Sequence, residues 1–148
     1  MRVVVSACLL GRNCKYNGGN NLCDDLVAAL EERGCEVVVV CPEVAGGLPT
    51  PRLRSEIRSG VVVNEVGESV DEAFRAGAAA ELARASHAGE IDAAILQPRS
   101  PSCGVGSIYD GTFSGVLVPG DGVFARMLNE RGVPVFSPQE FLARGVGS

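Results

Sequence analysis

The sequence has 148 residues, close to the usual size of one domain, and 46% of them are hydrophobic, which is enough for one continuous core. Its formal net charge of -5 disfavours binding to a nucleic acid polymer, because phosphate contacts need clustered lysines and arginines, and it suits a free base or small metabolite better. No apolar run approaches the roughly 20 residues that cross a bilayer, and the segment after Met1 does not fit a secretory signal, so we expect a cytoplasmic protein with one domain over residues 1–148 and no membrane partner.

The first part of the chain alternates apolar strands with a helical pattern. Residues 3–7 are a short run rich in β-branched side chains, which predicts a buried strand that stops at Cys8 and leads into a polar, glycine-rich loop. Apolar residues at helical spacing follow, and Gly34 marks the end of that helix. Its apolar positions are Leu22, Leu26, Val27 and Leu30. Residues 36–40 predict a second buried strand, which ends at Cys41.

The middle of the chain begins with a segment rich in proline and glycine. Residues 42–52, PEVAGGLPTPR, predict an irregular loop with neither a helix nor a central strand. Residues 57–70 predict a short hairpin or an excursion at a sheet edge. The alanine-rich pattern that follows predicts a helix over about residues 71–88.

The last part of the chain repeats the alternation of strand, loop and helix. Residues 93–96 predict a third buried strand, and residues 98–115 a loop rich in proline, serine and glycine. A helix over about residues 121–131, a strand at 133–136 and a helical turn after Pro138 complete the pattern. The sequence therefore predicts a single-domain α/β fold of the Rossmann-like kind, with a mainly parallel sheet and helices on both faces.

Three cysteines lie where predicted strands end. The sequence contains six cysteines, and a reducing cytosol disfavours structural disulfides between them, which leaves metal binding, thiol chemistry or burial. Cys8, Cys41 and Cys103 lie at or just beyond the carboxyl ends of three strands, the edge at which open parallel sheets bind ligands. We therefore expect three loops to present one thiol each to one place. Cys14, in the loop after Cys8, is a further ligand candidate, a resolving thiol or a packing residue.

A metal centre on these thiols would contain zinc or an iron-sulfur cluster, because both favour thiolate ligands. The closely spaced cysteine pairs typical of zinc sites do not occur among the three. Three thiolates on a tetranuclear cluster would leave one iron without a protein ligand, and a soft substrate atom such as sulfur could bind there.

Polar residues in the same loops are candidates for acid–base chemistry and ligand binding. Glu43 follows Cys41 by two residues, and a partly dehydrated carboxyl there is suited to proton transfer. Ser100 and Ser102 precede Cys103 and could hydrogen-bond a ligand or orient a water molecule. Arg52 could bind an anionic ligand or stabilise thiolates, with surface solvation as the competing interpretation.

Four blocks of the sequence together resemble the 2-thiouracil desulfurase family. They are SACLLGRNCKYNGG, CPEVAGGLPTPR, RSPSCGVGSIYDGTFSG and GDGVFARMLNERGVPVFS, and they span nearly the whole chain. The resemblance implies a [4Fe-4S] cluster on Cys8, Cys41 and Cys103, whose fourth iron takes the thiocarbonyl sulfur while water replaces it on the carbon. It also implies that Glu43 is the acid–base carboxylate and that Ser100 holds substrate or assists proton movement, giving uracil and sulfide from 2-thiouracil.

The sequence departs from the common family pattern at three positions. Gln97 and Pro98 stand where a lysine is expected soon after the third strand, and Asn17 stands where an aspartate is frequent. These differences concern substrate contacts rather than cluster ligands, so they bear on which thiolated base is accepted.

Two other classes of function fit part of the pattern. A metal or redox sensor would also use clustered cysteines, but the chain offers no evident output domain. A thiol-dependent hydrolase with Cys8 or Cys103 as nucleophile would need a base, and His87, the one histidine, lies in a predicted helix away from these loops. The expected partner is a small thiolated base, and the sequence does not predict an oligomeric state.

Overall fold

The structure is a computed structural model that describes residues 1–87 and 89–144. The strands are β1 (Arg2–Ser6), β2 (Glu36–Val40), β3 (Ser55–Arg58), β4 (Val61–Asn64), β5 (Ala93–Ile95), β6 (Ser107–Tyr109), β7 (Leu117–Pro119) and β8 (Val135–Phe136). The helices are α1 (Asp24–Glu32), α2 (Pro42–Ala45), α3 (Asp71–His87), α4 (Val123–Glu130) and α5 (Pro138–Ala143), and a 3-10 turn covers Ala7–Leu10. Over the described ranges, no helix is both long enough and apolar enough to span a bilayer.

The main sheet has four parallel strands in the order β2-β1-β5-β8. Val3 and Val5 of β1 pack with residues of α1 and α5 on one face, and Val4 packs with residues of α3 and α4 on the other. All three valines are fully buried, which explains why the centre of this strand is continuously apolar rather than alternating. The predicted α/β fold with helices on both faces is confirmed.

Two antiparallel hairpins lie beside the main sheet. The pair β3 and β4 confirms the hairpin predicted within residues 57–70, although its first strand begins at Ser55. In the pair β6 and β7, strand β6 lies within the loop predicted over residues 98–115 and β7 lies just beyond it, where no element was predicted; β6 packs against β3. Strands of three residues within a segment rich in glycine and serine carry no periodic signal, so their pairing is decided by tertiary contacts.

The prediction that residues 42–52 contain no helix is wrong at their start, where α2 makes one turn. Proline is compatible with the first position of a helix because its missing N–H would have no partner there, and Pro42 occupies that position. Helix α1 begins at Asp24, so Leu22 precedes it and is half exposed. The predicted end of the long helix, Ala88, and residues 145–148 of the predicted domain lie outside the described residues.

Helix α2 packs so closely on α3 that both contribute a glycine to the contact. A Cβ on Gly77, inside α3, would overlap the carbonyl oxygen of Pro42, and a Cβ on Gly46 would overlap the carbonyl oxygen of Ala73. Glycine inside a helix costs about 1 kcal/mol relative to alanine, so its presence at position 77 reflects this approach. The contact fixes the segment that follows β2 against the long helix.

Candidate functional site

A cavity of about 420 Å³ opens at the carboxyl ends of β1, β2 and β5. From β1 the chain runs to β2 on one side and later to β5 on the other side, so the cavity lies at the topological switch point of the sheet. Four cysteines line it: Cys8, Cys14, Cys41 and Cys103. The structure thus brings together the three thiols predicted to meet and adds the fourth candidate.

Each predicted ligand is held by the backbone of a turn that follows a strand. Cys8 lies in the 3-10 turn after β1, and its carbonyl oxygen accepts hydrogen bonds from the N–H groups of Gly11 and Asn21 at 3.3 and 2.9 Å. Cys41 occupies the N-cap position of α2. Cys103 is buried, and its N–H donates to the Ser100 hydroxyl at 3.2 Å. The thiols are therefore presented by ordered turns.

The sequence analysis missed Glu81, which supports Cys41 from α3. Its carboxylate accepts a 2.8 Å hydrogen bond from the N–H of Cys41 and pairs with Arg84 at 2.9 Å. Only 8% of Glu81 is exposed. A glutamate within an alanine-rich helix carries no local signal of this role, because its partner lies 40 residues away.

Two of the thiols lie in surroundings that favour their neutral form. Burial, together with the nearby Cys41, raises the pKa of Cys8 to about 11, against a smaller opposing effect of the Asn21 side chain. Burial also raises the pKa of Cys103 to about 12, although hydrogen bonds from Ser6 and Ser102 favour its thiolate. Such thiols become good ligands when a bound cation replaces the proton.

The side chains of Cys14 and Cys41 lie close enough to shift each other's pKa in opposite directions. Interaction with Cys41, with an added contribution from the Arg52 charge, lowers the pKa of Cys14. Interaction with Cys14, together with burial, raises the pKa of Cys41.

The donor set suits a soft metal centre. Thiolates select zinc, copper(I) or iron-sulfur clusters over hard cations. Among residues 1–87 and 89–144, no three histidine, cysteine or acidic side chains are gathered tightly enough to hold one metal ion. The thiols instead come from three different loops that line one cavity of about 420 Å³, which has room for a group larger than a single ion.

Glu43 lies in the first turn of α2 and lines the same cavity. Its Oε1 pairs with Nε of Arg52 at 3.0 Å, and its Oε2 accepts a 2.9 Å hydrogen bond from the Ser102 hydroxyl. The side chains of Arg52 and Glu43 are 7% and 16% exposed, so this ion pair is largely shielded from solvent. Both carboxylate oxygens are thus held in place.

Arg52 makes four hydrogen bonds to protein groups. Besides Glu43, it donates to the carbonyl oxygens of Pro49 and Cys14 and to the Thr50 hydroxyl. A guanidinium has five N–H groups, so one remains for a ligand. The arginine ties Glu43 to the loop that carries Cys14, and its predicted contact with substrate stays a prediction.

Ser100 and Ser102 form a compact hydrogen-bonded turn beside Cys103. Their hydroxyl oxygens lie 2.9 Å apart, and Oγ of Ser100 also accepts from the N–H groups of Ser102 and Cys103 at 3.1 and 3.2 Å. Through Ser102 this turn is joined to Glu43. The two serines and the carboxylate, predicted from separate loops, therefore form one continuous network.

Three comparisons with known proteins bear on this site. A family model described as 2-thiouracil desulfurase matches residues 3–140. The uncharacterised protein YbbK of Bacillus subtilis (strain 168) is 40% identical over 150 residues, covering 93% of this chain and 96% of the relative. A solved structure described as the [4Fe-4S]-dependent thiouracil desulfidase TudS superposes with a TM-score of 0.82 at 41% identity, covering 97% of each chain.

Proposed function

Because this chain belongs to the 2-thiouracil desulfurase family, we propose that it is a [4Fe-4S]-dependent enzyme that removes sulfur from a thiolated nucleobase, converting 2-thiouracil to uracil and sulfide. One observation carries the proposal. The thiols of Cys8, Cys41 and Cys103 line a cavity that also contains the carboxylate of Glu43. A soft-metal donor set and an acid–base group in one cavity are what such a reaction requires.

Cys8, Cys41 and Cys103 would hold the cluster through their thiolates. When bound, the cluster supplies a Lewis-acidic iron without a protein ligand, to which a thiocarbonyl sulfur can bind. Cys14 is outside the proposed ligand set because it does not directly follow a strand of the main sheet, and its interaction with Cys41 makes it a neighbour of a ligand.

The protein groups supply the proton chemistry. Glu43 takes a proton from a water molecule, whose oxygen forms the new bond to the carbon that carried sulfur. The carbon–sulfur bond breaks, and sulfur leaves as sulfide with the proton returned by Glu43, so water and thiouracil give uracil and hydrogen sulfide without net oxidation or reduction. Ser100 holds the substrate beside this carboxylate, and Arg52 keeps Glu43 in place.

The proposed setting is the cytoplasm, with a small thiolated base as the partner. A reducing compartment keeps the cavity thiols free, and all six cysteines are free in the structure. The acidic chain suits a small base better than a nucleic acid polymer.

The test is to reconstitute the protein without oxygen, measure iron and acid-labile sulfide, and add 2-thiouracil. About four irons per chain and release of sulfide with uracil are expected. Glu43→Gln should keep the iron and lose roughly 10²-fold to 10⁴-fold in turnover. Bound zinc, no sulfide release, or activity of metal-free protein that alkylation abolishes would overturn the proposal.

A further inference from the structure

We propose that Ser102 relays a proton between Ser100 and Glu43, an inference that rests on the proposed function of the same site. Ser102 would then act through its two neighbours in the acid–base step rather than only stabilise a turn. Nothing in its sequence position demands this role, because a serine after proline commonly bonds to its own turn.

The three side-chain oxygens form an unbroken chain of hydrogen bonds. Oγ of Ser100 lies 2.9 Å from Oγ of Ser102, which lies 2.9 Å from Oε2 of Glu43. The other oxygen of this carboxylate, Oε1, pairs with Nε of Arg52 at 3.0 Å. The carboxylate therefore meets the serine chain through one defined oxygen.

Counting donors and acceptors gives this chain a direction. A hydroxyl has one proton to donate and two acceptor sites, and two backbone N–H groups already donate to Oγ of Ser100. The hydrogen bond between the serines must then use the proton of Ser100. Ser102 accepts it and donates its own proton to Oε2 of Glu43 at 2.9 Å, which is nearer than Sγ of Cys103 at 3.7 Å. The chain is oriented to carry protons from Ser100 toward the carboxylate.

The same backbone N–H groups would stabilise the charge that this transfer creates. As its proton leaves, Oγ of Ser100 gains negative character, and donors from Ser102 and Cys103 at 3.1 and 3.2 Å lie beside it. Preorganised N–H groups aimed at a developing oxyanion are an efficient form of stabilisation. Ser100 is thus prepared to exchange a proton with a water molecule in the cavity.

Burial favours the relay over direct exchange with solvent. Ser102 is 2% exposed, so bulk water does not compete for its hydroxyl. In the forward step Ser102 gives its proton to Glu43 and takes the proton of Ser100. The lone pair that this frees on Ser100 takes a proton from water as the water oxygen bonds to the substrate carbon. The proton returns by the reverse path to the departing sulfide. Both serines end unchanged, and no oxidant or reductant is needed.

The experiment compares Ser102→Ala and Ser102→Thr with wild type. Ser86→Ala is the control, because Ser86 lies at the end of α3 and does not line the cavity. Iron content and visible spectrum report cluster binding, and kcat and KM for 2-thiouracil are measured in mixtures of light and heavy water. For Ser102→Ala we expect unchanged iron, a similar KM and about 10²-fold lower kcat. When the wild-type kcat is plotted against the deuterium fraction of the solvent, we expect a curve, because several protons move together. For Ser102→Ala we expect the same plot to be a straight line.

Ser102→Thr, which keeps the hydroxyl, should restore the curved dependence, and Ser86→Ala should match wild type. Wild-type kcat and a curved dependence in Ser102→Ala would overturn the relay. Loss of iron from Ser102→Ala would also overturn it, since the residue would then support the cluster. If wild type itself releases no sulfide, the proposed function fails, whereas active wild type with an unaffected Ser102→Ala refutes the relay alone.

Discussion

The N–H of Cys41 donates a 2.8 Å hydrogen bond to the carboxylate of Glu81, which lies in the buried face of α3. A cavity cysteine is therefore held by a helix that contributes no thiol to the cavity. Because Cys41 is also the N-cap residue of α2, this bond sets the start of the turn that carries Glu43. Support from α3 thus reaches both a proposed ligand and the proposed acid–base residue.

Replacing Glu81 should loosen this turn. In Glu81→Ala the N–H of Cys41 loses its partner in a partly buried site, so we expect the free energy of unfolding to fall by about 1–3 kcal/mol. Iron should also be lost faster on dilution. Urea unfolding and iron release measure the two effects. Glu72→Ala is the control, because Glu72 is exposed on the same helix, and it should change the free energy of unfolding by less than about 1 kcal/mol. Equal effects of the two variants would contradict the role of Glu81 in holding Cys41.

Gly77→Ala should destabilise the protein although alanine is the better helix former. Its Cβ would overlap the Pro42 carbonyl oxygen and lie 2.6 Å from the N of Gly46, so α2 would have to move. We expect a loss of about 1–3 kcal/mol in urea unfolding and reduced iron content. Ala79→Gly, at an exposed position of the same helix, should lose about 1 kcal/mol and keep its iron. A Gly77→Ala protein more stable than wild type would show that the contact with α2 is loose.

The cavity cysteines and Cys35 should differ sharply in their effect on iron. Cys8→Ser, Cys41→Ser and Cys103→Ser each remove a proposed ligand, so reconstituted protein should contain far less iron than wild type. Cys35→Ser is the matched control, because Cys35 lies before β2, at the opposite end of the strand from the cavity. Cys14→Ser should also retain iron. Full iron content in any of the three ligand variants would remove that cysteine from the set.

Cluster-free protein should lose stability in alkaline solution, partly through Cys8. The pKa of this thiol rises from 9.0 to about 11 on folding. Below pH 9 the thiol is therefore protonated in both the folded and the unfolded chain, and its full contribution to the free energy of unfolding is present. Between pH 9 and 11 the unfolded chain releases this proton and the folded chain keeps it, so stability falls as pH rises, by about 3 kcal/mol for a shift of this size.

The measurement is urea unfolding at pH 8 and pH 10.5 with reductant and without iron. Cys8→Ser, which does not titrate in this range, should lose less stability than wild type between the two pH values. Because only the change with pH is compared, any loss that the substitution causes at pH 8 cancels. Identical changes in the two proteins would mean that Cys8 is not shifted as described.

Much of the architecture follows from local patterns in the sequence. Residues 3–5 are apolar at every position because both faces of β1 are covered, and this pattern, repeated before Cys41 and near residue 95, predicted the parallel sheet. Since parallel strands end at a common edge, the positions of Cys8, Cys41 and Cys103 after three such strands were sufficient to predict that their thiols share a cavity.

Other features were decided only by tertiary structure. The bond from Ser102 to Glu43 joins residues 59 positions apart, and the bond from Cys41 to Glu81 spans 40, distances over which no periodicity or motif connects one side chain to another. The short β6 and β7 strands form because pairing and contact with β3 compensate for weak local propensity. By itself, the sequence determined the parallel α/β fold and the edge of the sheet to which the thiols belong, because both follow from burial along single strands. The partners that hold each thiol, carboxylate and hydroxyl in position were determined by the packing of elements distant in sequence.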